Sequence, residues 1–175
     1  MESVEHIRGS LIRTITQRKT DLEYGLMREQ PLADLLAKAL QKKLQHSLYK
    51  WTAFDFYNEQ KTFLIEIKNY RYSINKYDFE VIGVNKLITE NLLLVFRHED
   101  SDNEIYYIQY NAEQFKPFKR RYIGMTLCVD IPKDLLIKYY PTDKIKIKIN
   151  KKEIDFVRKA IDKDTLLAEM SEDFS

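Results

Sequence analysis

The sequence predicts a single domain of mixed α/β or α+β class, with a mixed central β-sheet flanked by helices. Runs rich in β-branched and aromatic residues indicate strands, and apolar residues that recur every three or four positions indicate helices. The chain has 175 residues, 44% of them hydrophobic, but only four glycines and four prolines. That length can bury a substantial core, and so few glycines and prolines leave little room for a linker between two domains.

The predicted domain covers residues 1–175. Its core occupies 20–130, a C-terminal strand and helix extension occupies 131–168, and the acidic end over 169–175 is expected to fray. Within the core and extension, the apolar runs predict strands and the helical spacing predicts helices. The strands are predicted over 92–96 and 105–110, joined by the polar turn 99–103, and over 127–129 and 145–149; the helices over 133–138 and 153–162.

The N-terminal part of the chain predicts helices before the sheet. Apolar spacing predicts an amphipathic helix over about 4–19, and residues 20–23 form a capping-box signature. The apolar stripe of the next helix places Glu29 where a core residue is expected. Glu29 has two interpretations, as a carboxylate directed into a site or as a residue near the positive end of a separate helix that Pro31 starts.

The central part of the chain predicts a β-hairpin, with limbs over 51–57 and 62–68 and a polar turn over 58–61. In the second limb, Leu64, Glu66 and Lys68 share one face, and the apolar residues between them form the core face. If the loop has an even number of residues, Asp55 lies opposite or diagonal to Glu66, about 5–8 Å away.

This hairpin predicts a metal site. Two carboxylates in a half-buried site repel each other unless a cation neutralises them, and oxygen ligands suit Mg²⁺, with Mn²⁺ as a substitute. Lys68, on the same face as Glu66, is placed to activate a water molecule and to stabilise negative charge on phosphorus. The alternative is a solvated outer face with a cross-strand Glu/Lys pair, because Glu59-Gln60-Lys61 repeats the tripeptide pattern in a polar turn.

From about Gly25 to Lys86 the chain resembles the PD-(D/E)XK nuclease superfamily, in which Asp55, Glu66 and Lys68 would be the motif residues. Gly25-x3-Glu29 resembles the helix that precedes the motif in that superfamily. The resemblance implies a restriction endonuclease-like core, with Glu29 and the carbonyl of Ile67 as further metal ligands. It also implies a helix over 77–89 that places Lys86 beside the site. Phe54 departs from the family because it replaces the proline that names the motif.

The resemblance implies a metal-dependent nuclease, with a DNA endonuclease preferred. An RNA endonuclease and a catalytically inactive nucleic-acid-binding or scaffolding domain are the alternatives. The segment 65–69, followed by Tyr77, Ile82-Gly83 and Lys86, also resembles nuclease-like proteins of large eukaryotic DNA viruses. A homodimer is a further expectation, because many nucleases of this class pair to cut two strands.

The net charge of +2 does not by itself indicate nucleic-acid binding, but the charges are unevenly placed. Tyr70-Arg71-Tyr72 could stack on bases or contact phosphates, or form an ordinary aromatic loop. Lysines alternate along the predicted strand 145–149, where they could bind phosphates or protect a sheet edge. A second basic cluster could bind phosphates; it consists of Lys116, Lys119, Arg120 and Arg121.

Other features exclude several classes of protein. The single Cys128 cannot form an internal disulfide and is expected in the core, which favours an intracellular protein, in the nucleus or the cytoplasm. No apolar run is long enough to span a membrane, and residues 1–5 lack the start of a signal peptide. The three histidines are isolated from one another, so their spacing does not predict zinc, and the glycines form no phosphate loop.

Overall fold

The computed structural model describes residues 29–49 and 51–172. The predicted helix over 4–19, the capping box over 20–23, Gly25 and the end of the tail at 173–175 lie outside the described residues. In the described chain, helix α1 covers residues 29–40, with Pro31 inside it, and Gln41 follows in a left-handed conformation (φ 55°) that is typical of a helix C-terminus. Two further helices are α2 (Ala112–Phe115) and α3 (Ile154–Glu172).

The strands follow a mixed topology. In chain order they are β1 (Leu44–His46), β2 (Phe56–Asn58), β3 (Leu64–Tyr70), β4 (Phe79–Gly83), β5 (Leu92–His98), β6 (Glu104–Gln109), β7 (Arg120–Ile123), β8 (Thr126–Pro132) and β9 (Ile137–Tyr139). The main sheet of the described residues has the order β1-β2-β3-β5-β6-β9, in which β3 and β5 are parallel and the other pairs are antiparallel. A smaller antiparallel sheet has the order β4-β8-β7.

The main sheet is covered on both faces, which confirms the predicted mixed fold with helices flanking a mixed sheet. On one face, α1 packs Leu32 and Leu36 into a cluster with Ile65 of β3. On the other, α3 and the smaller sheet pack Val157 and Ile82 into a second cluster that also contains Leu64. The face of β3 that carries Leu64, Glu66 and Lys68 was predicted to lie opposite the core. At Leu64 this face is also part of the core, because a second layer covers it.

Several predicted elements are confirmed. The hairpin is formed by β2 and β3, although its paired segment in β2 is shorter than the predicted limb. Strands β5 and β6 extend the same sheet around the turn that begins at Glu99–Ser101, as predicted. Strand β8 contains the predicted strand 127–129, and α3 contains most of the helix predicted over 153–162. Cys128 is buried, as expected.

The helix predicted over 77–89 is wrong, because this segment forms β4 followed by a 3₁₀ turn, Val84–Lys86. Its residues alternate between two environments, as a strand requires: Glu80 and Ile82 are buried, whereas Phe79 and Val81 are only partly buried. The helix predicted over 133–138 is also wrong. A 3₁₀ turn, Lys133–Leu135, is followed by β9, which pairs with β6.

The segment 145–149 is not a strand, because side chains replace the backbone partners that a strand needs. The side-chain amide of Gln109 accepts from the Lys148 amide (2.8 Å) and donates to the Lys148 carbonyl (2.7 Å). Asn91 binds the backbone of Asn150 in the same way. Of the acidic end over 169–175 that was expected to fray, residues 169–172 belong to α3, and 173–175 lie outside the described residues. None of the helices in the described residues is long and apolar enough to cross a lipid bilayer.

Candidate active site

Asp55 lies at the point where β2 begins to pair with β3. The register pairs Phe56 with Ile65, and Asp55 directly precedes β2. The Asp55 amide donates to the Ile65 carbonyl (2.8 Å), and Asp55 Oδ2 accepts from the Ile67 amide (2.7 Å). Because the N–H and C=O of one strand residue point to the same edge, the carbonyl of Ile67 also faces Asp55. The edge of β3 therefore fixes the Asp55 carboxyl group.

Glu66 is a buried carboxylate in the middle of β3, with 3% of its side chain exposed. Its Oε1 lies 3.3 Å from Lys86 Nζ and 3.5 Å from Lys68 Nζ. Lys86 Nζ also donates to the carbonyl of Thr52 (3.4 Å), which ties the 3₁₀ turn after β4 to the segment before β2. Glu66 Oε2 is buried and has no hydrogen-bond partner among the described residues. An unpaired buried carboxylate oxygen is costly, and a bound cation would offset that cost.

The electrostatics of the two carboxyl groups are coupled. Burial, followed by the negative charges of Glu66 and Glu29, raises the pKa of Asp55 well above its usual range, although the bond from Ile67 and the charge of Lys86 oppose the shift. Burial also raises the pKa of Glu66, even though Lys68, Lys86 and a hydrogen bond with Asp55 act in the opposite direction. Burial is the largest cause of both shifts, so each carboxyl group keeps its proton to higher pH than it would in solvent.

Glu29 belongs to α1 and is paired with His46, the last residue of β1. Glu29 Oε2 lies 3.3 Å from His46 Nε2, and His46 Nδ1 is hydrogen-bonded to the Ser47 carbonyl. Burial lowers the pKa of His46, but the bonds to Glu29 and Ser47 and the charges of Glu29 and Asp55 leave that pKa raised. The Ser47 amide donates to the Asp55 carbonyl (2.8 Å), so this pair adjoins the Asp55 backbone. His46 was missed by the sequence interpretation, since nothing in its local sequence signals this contact.

The donor set has the chemistry of a divalent-cation site, but it is incomplete in side chains. The possible oxygen ligands are the Asp55 carboxylate, the Glu66 carboxylate with its unpaired Oε2, and the Ile67 carbonyl. Mg²⁺ and Mn²⁺ accept oxygen ligands of these types. In the part of the chain that the structure describes, no three His, Cys, Asp or Glu side chains lie close enough to share one ion. Glu29 is thus near Asp55, but it is not brought together with Asp55 and Glu66 as a third ligand.

A groove of about 730 Å³ adjoins the carboxylates and contains part of the predicted nucleic-acid set. Lys68 and Lys86 lie on its wall next to Glu66, and Tyr70, Tyr72 and Arg121 line it further on. The smaller sheet forms much of the opposite wall. The remaining predicted residues are exposed and lie outside this lining: Arg71, Lys116, Lys119 and Arg120.

No protein-family model matches the chain, and no curated protein matches it either. Among solved structures, a nuclease from a fusselovirus matches with 15% sequence identity and a TM-score of 0.38. The match covers 79% of this chain and 89% of that nuclease.

Proposed function

We propose that this protein is a metal-dependent nuclease that hydrolyses phosphodiester bonds, with DNA as substrate and endonucleolytic cleavage. The observation that supports this best is the pair of half-buried Asp55 and buried Glu66, in which both carboxyl pKa values are raised and Glu66 Oε2 lacks a partner among the described residues. Such a pair needs a cation, and a phosphate-binding nuclease site supplies one. Mg²⁺, or Mn²⁺ in its place, would be held by Asp55, Glu66 and the carbonyl of Ile67.

Each residue has a distinct role in this proposal. A bound divalent ion would polarise a phosphate oxygen and make a coordinated water molecule more acidic. Lys68, with 35% of its side chain exposed, can donate a hydrogen bond to the attacking water or to a phosphate oxygen. In hydrolysis the water oxygen bonds to phosphorus, the P–O bond on the opposite side breaks, and the leaving oxygen takes up a proton. Lys86 holds Glu66 in place through its contacts with Glu66 and Thr52.

A non-catalytic nucleic-acid-binding domain is the second candidate, and two observations favour it. Within the described residues no third acidic or histidine side chain completes a metal cluster. In addition, Lys68 and Lys86 already lie within ion-pair distance of Glu66 Oε1. A fold that had lost catalysis could keep this carboxylate neutralised by lysine alone.

One assay separates the two candidates. The purified protein is incubated with circular single-stranded DNA, circular duplex DNA and RNA, each with Mg²⁺, Mn²⁺ or EDTA. We expect the DNA circles to be cut in Mg²⁺ and Mn²⁺ and to remain intact in EDTA. Cleavage of a circle requires an endonuclease, whereas cleavage of RNA alone would change the substrate to RNA.

Glu66→Gln is the test variant and Glu59→Gln is its control. Both residues belong to a Glu-x-Lys tripeptide, but Glu59 is exposed. We expect Glu66→Gln to reduce cleavage by orders of magnitude, because it removes a charge that the ion requires, and Glu59→Gln to leave it unchanged. Equal cleavage by the two variants would contradict the proposed site. Binding without cleavage of any substrate by the parent protein would establish the non-catalytic candidate.

A further inference from the structure

The groove beside the carboxylates combines aromatic rings with cationic side chains. From this combination we infer that the groove binds unpaired bases of a single-stranded nucleic acid, next to the phosphate held at Lys68 and Lys86. The inference rests on the proposed function, to which it adds the substrate class: single strands or unpaired segments, in preference to a fully paired duplex.

The aromatic rings form a connected series along the groove. Tyr70 stacks between Phe96 and Tyr72, with ring centroids 6.4 Å and 4.8 Å away. Tyr77 meets Tyr72 edge to face at 5.1 Å, and the ring of Phe79 is nearly parallel to that of Tyr77, at 24° and 6.5 Å. Tyr77 is 44% exposed, so solvent reaches its ring. Tyr70 already lies against Phe96 and Tyr72, so the exposed ring of Tyr77 is the surface on which a base can stack, with little dependence on base identity.

A buried hydrogen-bonded pair holds the inner part of this series in place. His98 Nδ1 donates to the carbonyl of Tyr72 (3.0 Å), since a carbonyl only accepts, and His98 Nε2 lies 2.6 Å from Glu80 Oε1. Both side chains are essentially inaccessible to solvent. The His98 ring also contacts Tyr70 and Tyr72, with centroids 5.3 Å and 5.5 Å away. Aromatic groups that are already fixed lose little conformational freedom when a ligand binds.

The cationic groups are placed where a strand's phosphates would pass. Lys68 and Lys86 lie beside the carboxylates, and Arg121 lies across the groove with its guanidinium 5.1 Å from the Phe79 ring centroid. Arg121 Nε also donates to both carboxylate oxygens of Asp130, at 3.0 Å and 3.1 Å. These bonds fix the orientation of the Arg121 side chain. Lys76 Nζ lies 5.5 Å from the ring centroids of both Tyr72 and Tyr77.

The same features disfavour a paired duplex as the occupant. Bases in a duplex already stack on their neighbours, so reaching these rings would cost unstacking and unpairing energy. The groove volume of about 730 Å³ is that of a site for a small ligand, which suits one or a few nucleotides. A single strand can present both an accessible base to the rings and a phosphate to the lysines.

The test measures binding in EDTA, where cleavage is absent, by fluorescence anisotropy of a labelled oligothymidylate of about 12 nucleotides, a length within the range that single-strand-binding modules cover. The other probes have the same length: an oligouridylate, an abasic DNA strand and a duplex. We expect the parent protein to bind the two base-containing strands at least about tenfold more tightly than the abasic strand, the scale of stacking one base. Tighter binding of oligouridylate than of oligothymidylate would identify RNA as the single strand that is bound. Equal affinity for the abasic strand, or tighter binding of the duplex, would overturn the inference.

Two matched pairs of variants locate the binding. Tyr77→Leu should weaken oligothymidylate binding about tenfold, whereas Tyr122→Leu should not, because Tyr122 is 71% exposed and lies outside the groove. Arg121→Gln should lower the slope of log affinity against log salt by about 1, and Arg158→Gln, at an exposed position on α3, should leave that slope unchanged. If the test variant and its control had equal effects in either pair, the groove would not be the binding site.

These measurements are independent of the nuclease assay. Groove-dependent binding by a protein that cuts nothing in Mg²⁺ would support the inference and contradict the proposed function. If Tyr77→Leu cleaved and bound a single strand as well as the parent does, the proposed nuclease function would be supported. The inference that the groove binds unpaired bases would be overturned.

Discussion

Glu66 shows at the scale of one residue how the site differs from an ordinary surface ion pair. One carboxylate oxygen faces two lysines, the other has no hydrogen-bond partner in the described chain, and the side chain is almost fully buried. An exposed Glu/Lys pair contributes well under about 1 kcal/mol and needs no such arrangement. The surface-pair alternative from the sequence therefore does not account for the burial of Glu66.

The two lysines are expected to have different roles. Lys68→Met should lower the cleavage rate about a hundredfold or more at every pH, because it removes a charge that stabilises the transition state, while substrate affinity falls by much less. Both lysines lower the pKa of Glu66, so both variants should raise that pKa further and displace the pH–rate profile to higher pH, but only Lys86→Met should regain the full rate there.

Single-turnover rates across a pH series would distinguish these effects. Recovery of Lys86→Met at high pH, without recovery of Lys68→Met, is the expected pattern. A Lys68→Met variant that cleaves as fast as the parent would mean that the hairpin is not a nuclease site of this type.

Asp55 should lower the stability of the protein when no metal is bound. A carboxyl group with a raised folded-state pKa keeps its proton to higher pH in the folded protein than in the unfolded chain. Stability is therefore lost as pH rises from the ordinary value of 3.8 through the raised value. In EDTA near neutral pH, Asp55→Asn should raise Tm by at least about 2 °C, which corresponds to about 1 kcal/mol in a chain of this size.

That gain should vanish below the ordinary pKa of the carboxyl group, where the parent residue is protonated in both states. Thermal unfolding at several pH values measures it, and Asp162→Asn, an exposed position on α3, is the control. A gain that is independent of pH, or an equal gain in the control, would show that the charge of Asp55 is not the cause.

The candidate residues differ in how far the sequence could predict them. Asp55, Glu66 and Lys68 follow from local patterning, because a strand's period of two and a short hairpin fix which residues face each other. Lys86 was associated with the site only through the family resemblance, and the structure places it there on a 3₁₀ turn. His46 is paired with Glu29 across 17 residues of sequence, a tertiary contact that local periodicity does not contain.

At the scale of elements, β4 carries the part of the site that the sequence analysis misassigned. The resemblance implied a helix over 77–89, yet alternate residues of β4 face the groove and the core. Glu80 on this strand reaches His98 on β5 and joins the two sheets. Sequence periodicity identifies a strand, but it does not give the partner strand or the sheet to which the strand belongs.

The Glu80–His98 pair should be required for the structure of the groove. His98→Leu would leave the Glu80 carboxylate buried without its partner, which costs about 3–5 kcal/mol. The double variant Glu80→Leu/His98→Leu removes both polar groups and should recover part of this loss. Urea unfolding of the parent and the two variants measures the difference, and a single variant no less stable than the double one would contradict a coupled, buried hydrogen-bonded pair.

The whole molecule places the candidate catalytic groups where its two sheets meet. The main sheet supplies Asp55, Glu66 and Lys68, and the segment around the smaller sheet supplies Lys86 and much of the groove wall. The fold class was predictable because apolar periodicity distinguishes strands from helices. The parallel pairing of β3 with β5 and the separate sheet were not, because they depend on contacts between distant segments.

Metal binding should be visible in the stability of the whole protein. A ligand that binds only the folded state adds about 2.7 kcal/mol when its concentration is 100 times Kd, which corresponds to a rise in Tm of about 5–10 °C for a chain of this size. Mg²⁺ or Mn²⁺ should therefore stabilise the parent protein. The gain should be larger at pH 8 than at pH 5.5, because protons compete with the ion for carboxyl groups whose pKa values are raised.

The stability of the variant Asp55→Asn relative to the parent should reverse when metal is added. Without metal it is expected to be more stable than the parent, and with saturating Mg²⁺ it should be less stable, because it gains little from the ion. Thermal unfolding in EDTA and in a Mg²⁺ series, with Asp162→Asn as the control, measures both limits of this reversal. If Mg²⁺ raises Tm equally in the parent and in Asp55→Asn, the ion binds elsewhere. If it raises neither, the lysines alone neutralise the carboxylates, and the non-catalytic candidate is supported.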